Sequence, residues 1–120
     1  MPSLRQIVYV SSALAKLDKD ELEDLVAQSR KRNDAVNVTG LLVYSDGNFM
    51  QAIEGGHDEV EQLYNRIADD PRHRDLMVIV DHSVEDRSFP SWRMAYAYEP
   101  DPENMARCVH FLRSHESLYD

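Results

Sequence analysis

The chain has 120 residues, long enough for one domain with a real core and too short for two. Its 22 acidic and 13 basic residues give a net charge of -9, which argues against DNA, RNA or an anionic membrane surface as the main partner. A single cysteine, Cys108, excludes an internal disulfide and a Cys-rich metal site, and the five histidines form no close pair at ligand spacing, so no metal is expected. No apolar run approaches the length of a membrane span, and the opening Met-Pro-Ser-Leu-Arg-Gln carries no signal-peptide pattern. A reducing cytoplasm is therefore the expected location.

Leu4 to Val10 reads as a first strand, with Arg5, Ile7 and Tyr9 on one face and Leu4, Gln6, Val8 and Val10 on the other. Ser11-Ser12-Ala13 is expected to lead out into a loop. Asp18 is a good helix N-cap, and Glu21 three residues on completes a capping-box pattern. Leu22, Leu25, Val26 and Ser29 follow at helical spacing, and the helix is expected to fray through Arg30-Lys31-Arg32-Asn33.

Val38 to Gly55 then reads as two strands joined by a two-residue turn, Asp46-Gly47. That turn fixes the register: Tyr44 faces Phe49, Leu42 faces Gln51 and Gly40 faces Ile53. One face carries Gly40, Leu42, Tyr44, Phe49, Gln51 and Ile53, and the other Leu41, Val43, Met50 and Ala52. Both faces are apolar, so each needs a cover. Gln51 is the exception, a primary amide among apolar neighbours, and a buried amide must find partners. Glu54 is read as a surface or turn residue.

Gly55-Gly56 ends the second strand of the hairpin and opens a second helix, with Val60, Leu63, Tyr64 and Ile67 as its stripe and Asp58 and Glu59 in its first turn; Pro71 ends it. Leu76 to Val80 is a near-continuous apolar run and reads as a central strand. Ser83 to Pro90 reads as a charged loop, and Ser91 to Tyr98 alternates as a fifth strand. Asp101-Pro102 starts a last helix with the stripe Met105, Cys108, Val109 and Leu112. The fold class is therefore α+β: a ferredoxin-like β-α-β-β-α-β unit with an added fifth strand and a C-terminal helix. The two inner helices cover one sheet face. The last helix, or a second copy of the chain, covers the Leu41, Val43, Met50, Ala52 face.

Three polar residues sit where a core is expected: Tyr9, Gln51 and, at the end of the first helix, Asn33. Singly, each reads as a satisfied core group or a helix cap. Together they suit a flat, hydrogen-bonding heteroaromatic ligand. The Asp69-Asp70-Pro71-Arg72-His73-Arg74 segment reads as a solvated turn or, with Arg66, as a phosphate clamp at the pocket mouth.

Six segments in order resemble the BLUF domain, the blue-light sensor that uses flavin. They are Tyr9-Val10-Ser11-Ser12-Ala13, Arg32-Asn33, Val38 to Tyr44, Phe49 to Gly55, Asp70-Pro71-Arg72-His73 and Arg87 to Met94. The resemblance runs from about Leu4 to Tyr98 and implies a ferredoxin-like fold with the flavin ring between the two helices. The implied cofactor is FAD, with FMN or riboflavin as alternatives. Tyr9 matches the tyrosine that gives an electron and a proton to the excited flavin, and Gln51 the glutamine that rearranges between them. Asn33 matches the asparagine at the polar edge of the ring, and Trp92 and Met94 the pair that relays the change. Ser29, Arg66, Asp70, Arg72 and His73 match further flavin contacts. Two positions depart from the pattern: Gly56, where the family often has proline, and Ile53, where leucine is usual.

The implied division is a flavin-binding domain over residues 1–98, with 99–120 as a helical extension of the same domain. The implied protein is a photoreceptor and not an enzyme. It signals to a protein partner or through a homo-oligomer, since only Glu99 to Asp120 follows. Two alternatives remain open at this point: a small acylphosphatase-type hydrolase using Arg72 or Arg66 with an Asn, and a light-insensitive dimerisation or regulatory module.

Overall fold

The computed structural model describes residues 4–45, 47–88 and 95–98. Strand β1 (Leu4–Ala13), helix α1 (Lys19–Ala35), strands β2 (Thr39–Ser45) and β3 (Asn48–Gly56), helix α2 (His57–Ala68) and strand β4 (His73–Val84) follow in order, and β5 is described over Ala95–Tyr98. The sheet order is β4-β1-β3-β2-β5. The first four strands are antiparallel and β5 runs parallel to β2. This is the ferredoxin-like arrangement. The hairpin register is the expected one, with Tyr44 opposite Phe49, Leu42 opposite Gln51 and Gly40 opposite Ile53.

Alternation divides the core in two. Ile7, Tyr9, Leu42, Tyr44, Phe49 and Ile53 face α1 and α2, where Leu22, Val26, Val60, Leu63 and Ile67 meet them. Val8, Val43, Met50, Ala52 and Val80 pack together on the opposite face. The expected last helix, with Met105, Cys108, Val109 and Leu112, lies outside the described residues.

The capping box at the start of α1 is formed. The Asp18 carboxylate accepts from the Glu21 N–H at 2.8 Å, and Glu21 Oε1 accepts from the Asp18 N–H at 3.3 Å. Asp18→Ala removes the first of these bonds and is expected to lower stability by about 1 kcal/mol, read from the denaturant midpoint.

At its other end α1 does not fray through Arg30–Asn33 but continues to Ala35. The Val38 N–H donates to the Asn33 carbonyl at 2.9 Å and the Asn37 N–H to the Asp34 carbonyl at 3.4 Å, with Asn37 at φ 56°. That pair of bonds around a left-handed residue is a Schellman cap. Asn37 closes the helix, and Asn33 lies inside it with its side chain fully buried.

Four other features differ from expectation. Ser11-Ser12-Ala13 belongs to β1, because β3 pairs with Ser11 and Ser12 and β4 with Ser12 and Ala13; ladder bonds outweigh weak strand propensity there. The run Leu76 to Val80 is not central. It lies in β4 at the sheet edge, and Met77 stays 65% exposed. Register shifts against β1 mark bulges along it, a common feature of edge strands. Ser83 and Val84, expected in a loop, extend β4. Finally, Glu54 is not on the surface but fully buried, its carboxylate accepting from Gln6 Nε2 at 3.0 Å. Alternation explains it: Gln6 and Glu54 are directly paired residues on the same sheet face.

Candidate functional site

Pairing of the central strands sets Tyr9 of β1 directly opposite Gln51 of β3, on the face that the helices cover. Both side chains are buried, and the Tyr9 hydroxyl donates to Gln51 Oε1. Burial pushes the Tyr9 pKa well above its ordinary value of 10.0, and the nearby Arg32 cation only partly offsets this. The phenol is therefore neutral at physiological pH, with its proton held on the bond to Gln51. The Tyr9 ring meets Tyr64 edge-on at 6.5 Å and the His73 ring at 6.4 Å between centroids.

A cavity opens above this pair. Leu25 of α1, Leu42 and Phe49 of the hairpin and Ile67 of α2 supply its apolar walls. Tyr9, Ser11, Ser29 and Gln51 supply neutral polar groups, and Arg32, Asp70, Arg72 and His73 ring it with titratable ones. The slot has the makeup of a site for a flat ligand: apolar faces and a few placed polar groups.

The rim is internally braced. His73 Nε2 lies 2.5 Å from the Ile67 carbonyl, which can only accept, so Nε2 carries the proton. In the neutral ring Nδ1 then accepts from the Ser11 hydroxyl at 2.8 Å, tying the end of α2 to β1. Arg72 donates to Asp70 through Nε at 3.0 Å, Nη2 at 2.6 Å and its backbone N–H at 2.9 Å. Arg72 holds the Asp70 carboxyl below the ordinary carboxylate range.

Arg32 is different. Its Nε is buried with no hydrogen-bond partner among the described residues, and burial, then repulsion from Arg66 and Arg72, lowers its pKa. A buried donor on a cavity wall without a protein acceptor fits a ligand that brings an acceptor or a negative charge. A flavin, with ring carbonyls and a phosphorylated tail, meets that requirement.

Of the residues singled out in the sequence, Tyr9, Gln51, Ser29, Asp70, Arg72 and His73 share the cavity wall. Asn33 is buried one helical turn beyond Ser29 and is not part of that wall; Arg66 is exposed on α2 and acts on Arg32 through its charge. Trp92 and Met94 lie outside the described residues. Arg32, Ser11, Leu25, Leu42, Phe49 and Ile67 were not singled out as site residues. Helical spacing was the available signal for Arg32, since Leu25, Ser29 and Arg32 fall on one face of α1.

Comparisons with known proteins agree with this fold. The family model described as sensors of blue-light using FAD matches residues 4–95. The chain is 31% identical over 81% of its length to the beta subunit of a photoactivated adenylate cyclase from Euglena longa, spanning 11% of that relative. It is 29% identical over 64% of its length to the blue light- and temperature-regulated antirepressor BluF of Escherichia coli, spanning 19% of it. Among solved structures, BlrB, a BLUF protein in its dark state, superposes with a TM-score of 0.79 at 27% identity, covering 93% of this chain and 85% of that one. A match of this extent displaces the hydrolase and the light-insensitive module as readings of the domain. The chain belongs to the BLUF family of flavin-using blue-light sensors.

Proposed function

We propose that the cavity between α1 and α2 holds the flavin as FAD, and that Tyr9 and Gln51 form the light-operated switch beneath it. The observation that carries this reading is the hydrogen bond from the Tyr9 hydroxyl to Gln51 Oε1 on the cavity floor. A flavin bound there would supply the blue-light absorption and, once excited, the one-electron acceptor. Tyr9 is placed to give the electron, and its phenol proton, made acidic by that loss, would pass along the existing bond to Gln51 Oε1, both returning to Tyr9 in the dark. The amide has one donor end and one acceptor end. Rotation or tautomerisation exchanges them, which redraws the hydrogen bonds around the slot without moving its walls. Two bonding patterns of one side chain give a bistable element that light biases.

Leu25, Leu42, Phe49 and Ile67 sandwich the ring and exclude water. Ser29, Arg32, Asp70, Arg72 and His73 serve its polar edges and tail, with Arg66 adding charge. Trp92 and Met94 relay the change along the fifth strand. The output is a changed contact with a protein partner or between copies of the chain, in the cytoplasm.

The test is spectroscopic. Purified protein is expected to be yellow, and blue light to red-shift its flavin bands slightly and reversibly in the dark. Tyr9→Phe is expected to keep the flavin and lose the shift. A colourless protein that takes up no added flavin would sink the reading, and a normal photocycle in Tyr9→Phe would remove Tyr9 from it.

A further inference from the structure

The sheet face turned away from α1 and α2 is apolar where Val8, Val43, Met50, Ala52 and Val80 pack together. Toward one end of the strands it carries a polar row. Pairing sets His82 of β4, Gln6 of β1, Glu54 of β3 and Thr39 of β2 side by side across four strands. Gln6, Glu54 and Thr39 are buried. His82 Nε2 donates to Gln6 Oε1 at 3.0 Å, and Gln6 Nε2 donates to Glu54 Oε2 at 3.0 Å. Apolar side chains would pack there as well, so stability alone does not account for the row.

The row receives the chain that leaves β4. The Ser88 hydroxyl accepts from Gln6 Nε2 at 3.3 Å. Arg87, half-buried, reaches three acceptors. Its Nη1 donates to Thr39 Oγ1 at 2.8 Å and to the Glu54 carbonyl at 3.1 Å, and its Nη2 to the Asn37 carbonyl at 2.7 Å. One rigid fork thus joins the cap of α1, the start of β2 and the end of β3, a set that a lysine ammonium does not span.

β4 and β5 are the two edges of the sheet, so residues 85–94 carry the chain from one edge to the other. β5 then pairs with β2 over Ala95–Tyr98, in parallel, with Ala95 opposite Leu41. β2 and β5 are distant in sequence, so no hairpin turn sets their register, and a slip of one residue would reverse the faces of β5. Arg87 is fixed at Thr39, just ahead of Leu41 on the same strand.

We propose that Arg87 is a positioning residue that fixes the register of β5 on β2 and, through it, the lifetime of the light-switched state. Leu42 of β2 pairs with Tyr96 on one side and with Gln51 on the other. A β5 held in one register gives the Gln51 amide one fixed surrounding, and a β5 that samples several lowers the barrier to the amide's return. The lifetime rests on the flavin reading above; the register does not.

The experiment compares Arg87→Gln with Arg5→Gln, which removes an arginine bonded twice to Asp81 of β4. Amide hydrogen exchange of the whole protein in the dark is read by mass spectrometry. In Arg87→Gln the exchange of Ala95–Tyr98 is expected to be about tenfold faster, the scale for losing bonds to a charged donor, with the β1–β3 ladder as in wild type. In Arg5→Gln the exchange of Ala95–Tyr98 is expected to be unchanged. After blue light, Arg87→Gln is expected to show the wild-type red shift, since Tyr9 and Gln51 are untouched, and to return to the dark spectrum about tenfold faster. Thr39→Val removes one of the three acceptors and little volume; it is expected to move both readings the same way by less, and it carries the test where Arg87→Gln does not fold. Wild-type exchange in β5, a wild-type return rate, or equal loosening of β5 in Arg5→Gln overturns the proposal. Absence of any light response strikes the flavin reading instead, and the exchange result still decides whether Arg87 sets the register.

Discussion

In the Gln51→Leu variant, blue light is expected to leave the flavin bands where they stand in the dark. The substitution is nearly conservative in volume, so packing against Leu42, its partner across the hairpin, is kept. What it removes is the pair of unlike ends. Leucine offers no acceptor to the Tyr9 hydroxyl and no donor to anything else, so no second bonding pattern exists to switch to. The stability change is a balance. Tyr9 loses its acceptor and becomes an unsatisfied buried hydroxyl, at a cost of about 1–3 kcal/mol, while the cost of burying an amide disappears. A net change within about 1–2 kcal/mol is expected, small enough for the variant to fold and hold its ligand. The decisive measurement is therefore the light-minus-dark difference spectrum of a folded, flavin-bearing variant. A wild-type red shift there removes Gln51 as the switching group, whatever its effect on stability.

Much of this architecture is legible in the sequence wherever local chemistry and the tertiary solution agree. The dipeptide Asp46-Gly47 sets a two-residue loop, and the loop sets every facing pair of the hairpin, including the one that puts Gln51 on the helix-covered face. Asp18 and Glu21 predict their own reciprocal bonds. The expectations that failed are those a distant partner decides. Two asparagines, Asn33 and Asn37, lie near the end of the same helix, and only the backbone bond from Val38 to Asn33 shows that the second takes the left-handed turn. Leu76 to Val80 is apolar enough for a central strand, yet its place at the edge is set by pairing order, which periodicity does not encode. Glu54 looks like a solvated acid until Gln6 of another strand is placed opposite it. Arg32 is similar. Its spacing marks the inner face of α1, but a cation near a helix end is so often solvated, and so well suited to the helix dipole, that burial of its Nε becomes apparent only once the cavity is closed.

Gly40→Ala is expected to be the most destabilising single-methyl addition in the chain's described glycines, at about 2–4 kcal/mol. The reason is not backbone freedom, since Gly40 lies in a regular strand. A Cβ built at Gly40 runs into the carbonyl oxygen of Ala52, with the Ala52 carbonyl carbon at 3.1 Å and Ile53 Cα at 3.3 Å. All three are backbone atoms of β3, so no side chain can rotate away, and β3 itself must shift. β3 is paired on both sides and carries Gln51 next to Ala52, so the strain falls on the switching residue as well as on the hairpin. Gly56 is the control. The nearest atoms a Cβ there meets are those of the carboxylate end of Glu59, at the exposed start of α2, and that side chain can swing into water. Gly56→Ala is therefore expected to be within about 0.5 kcal/mol of wild type. Denaturant midpoints of the two variants separate backbone crowding from any general penalty for adding a methyl group. A Gly40→Ala midpoint matching that of Gly56→Ala would mean that β2 and β3 do not approach as closely as described. A low midpoint joined to a weakened light response would show that the close approach positions Gln51.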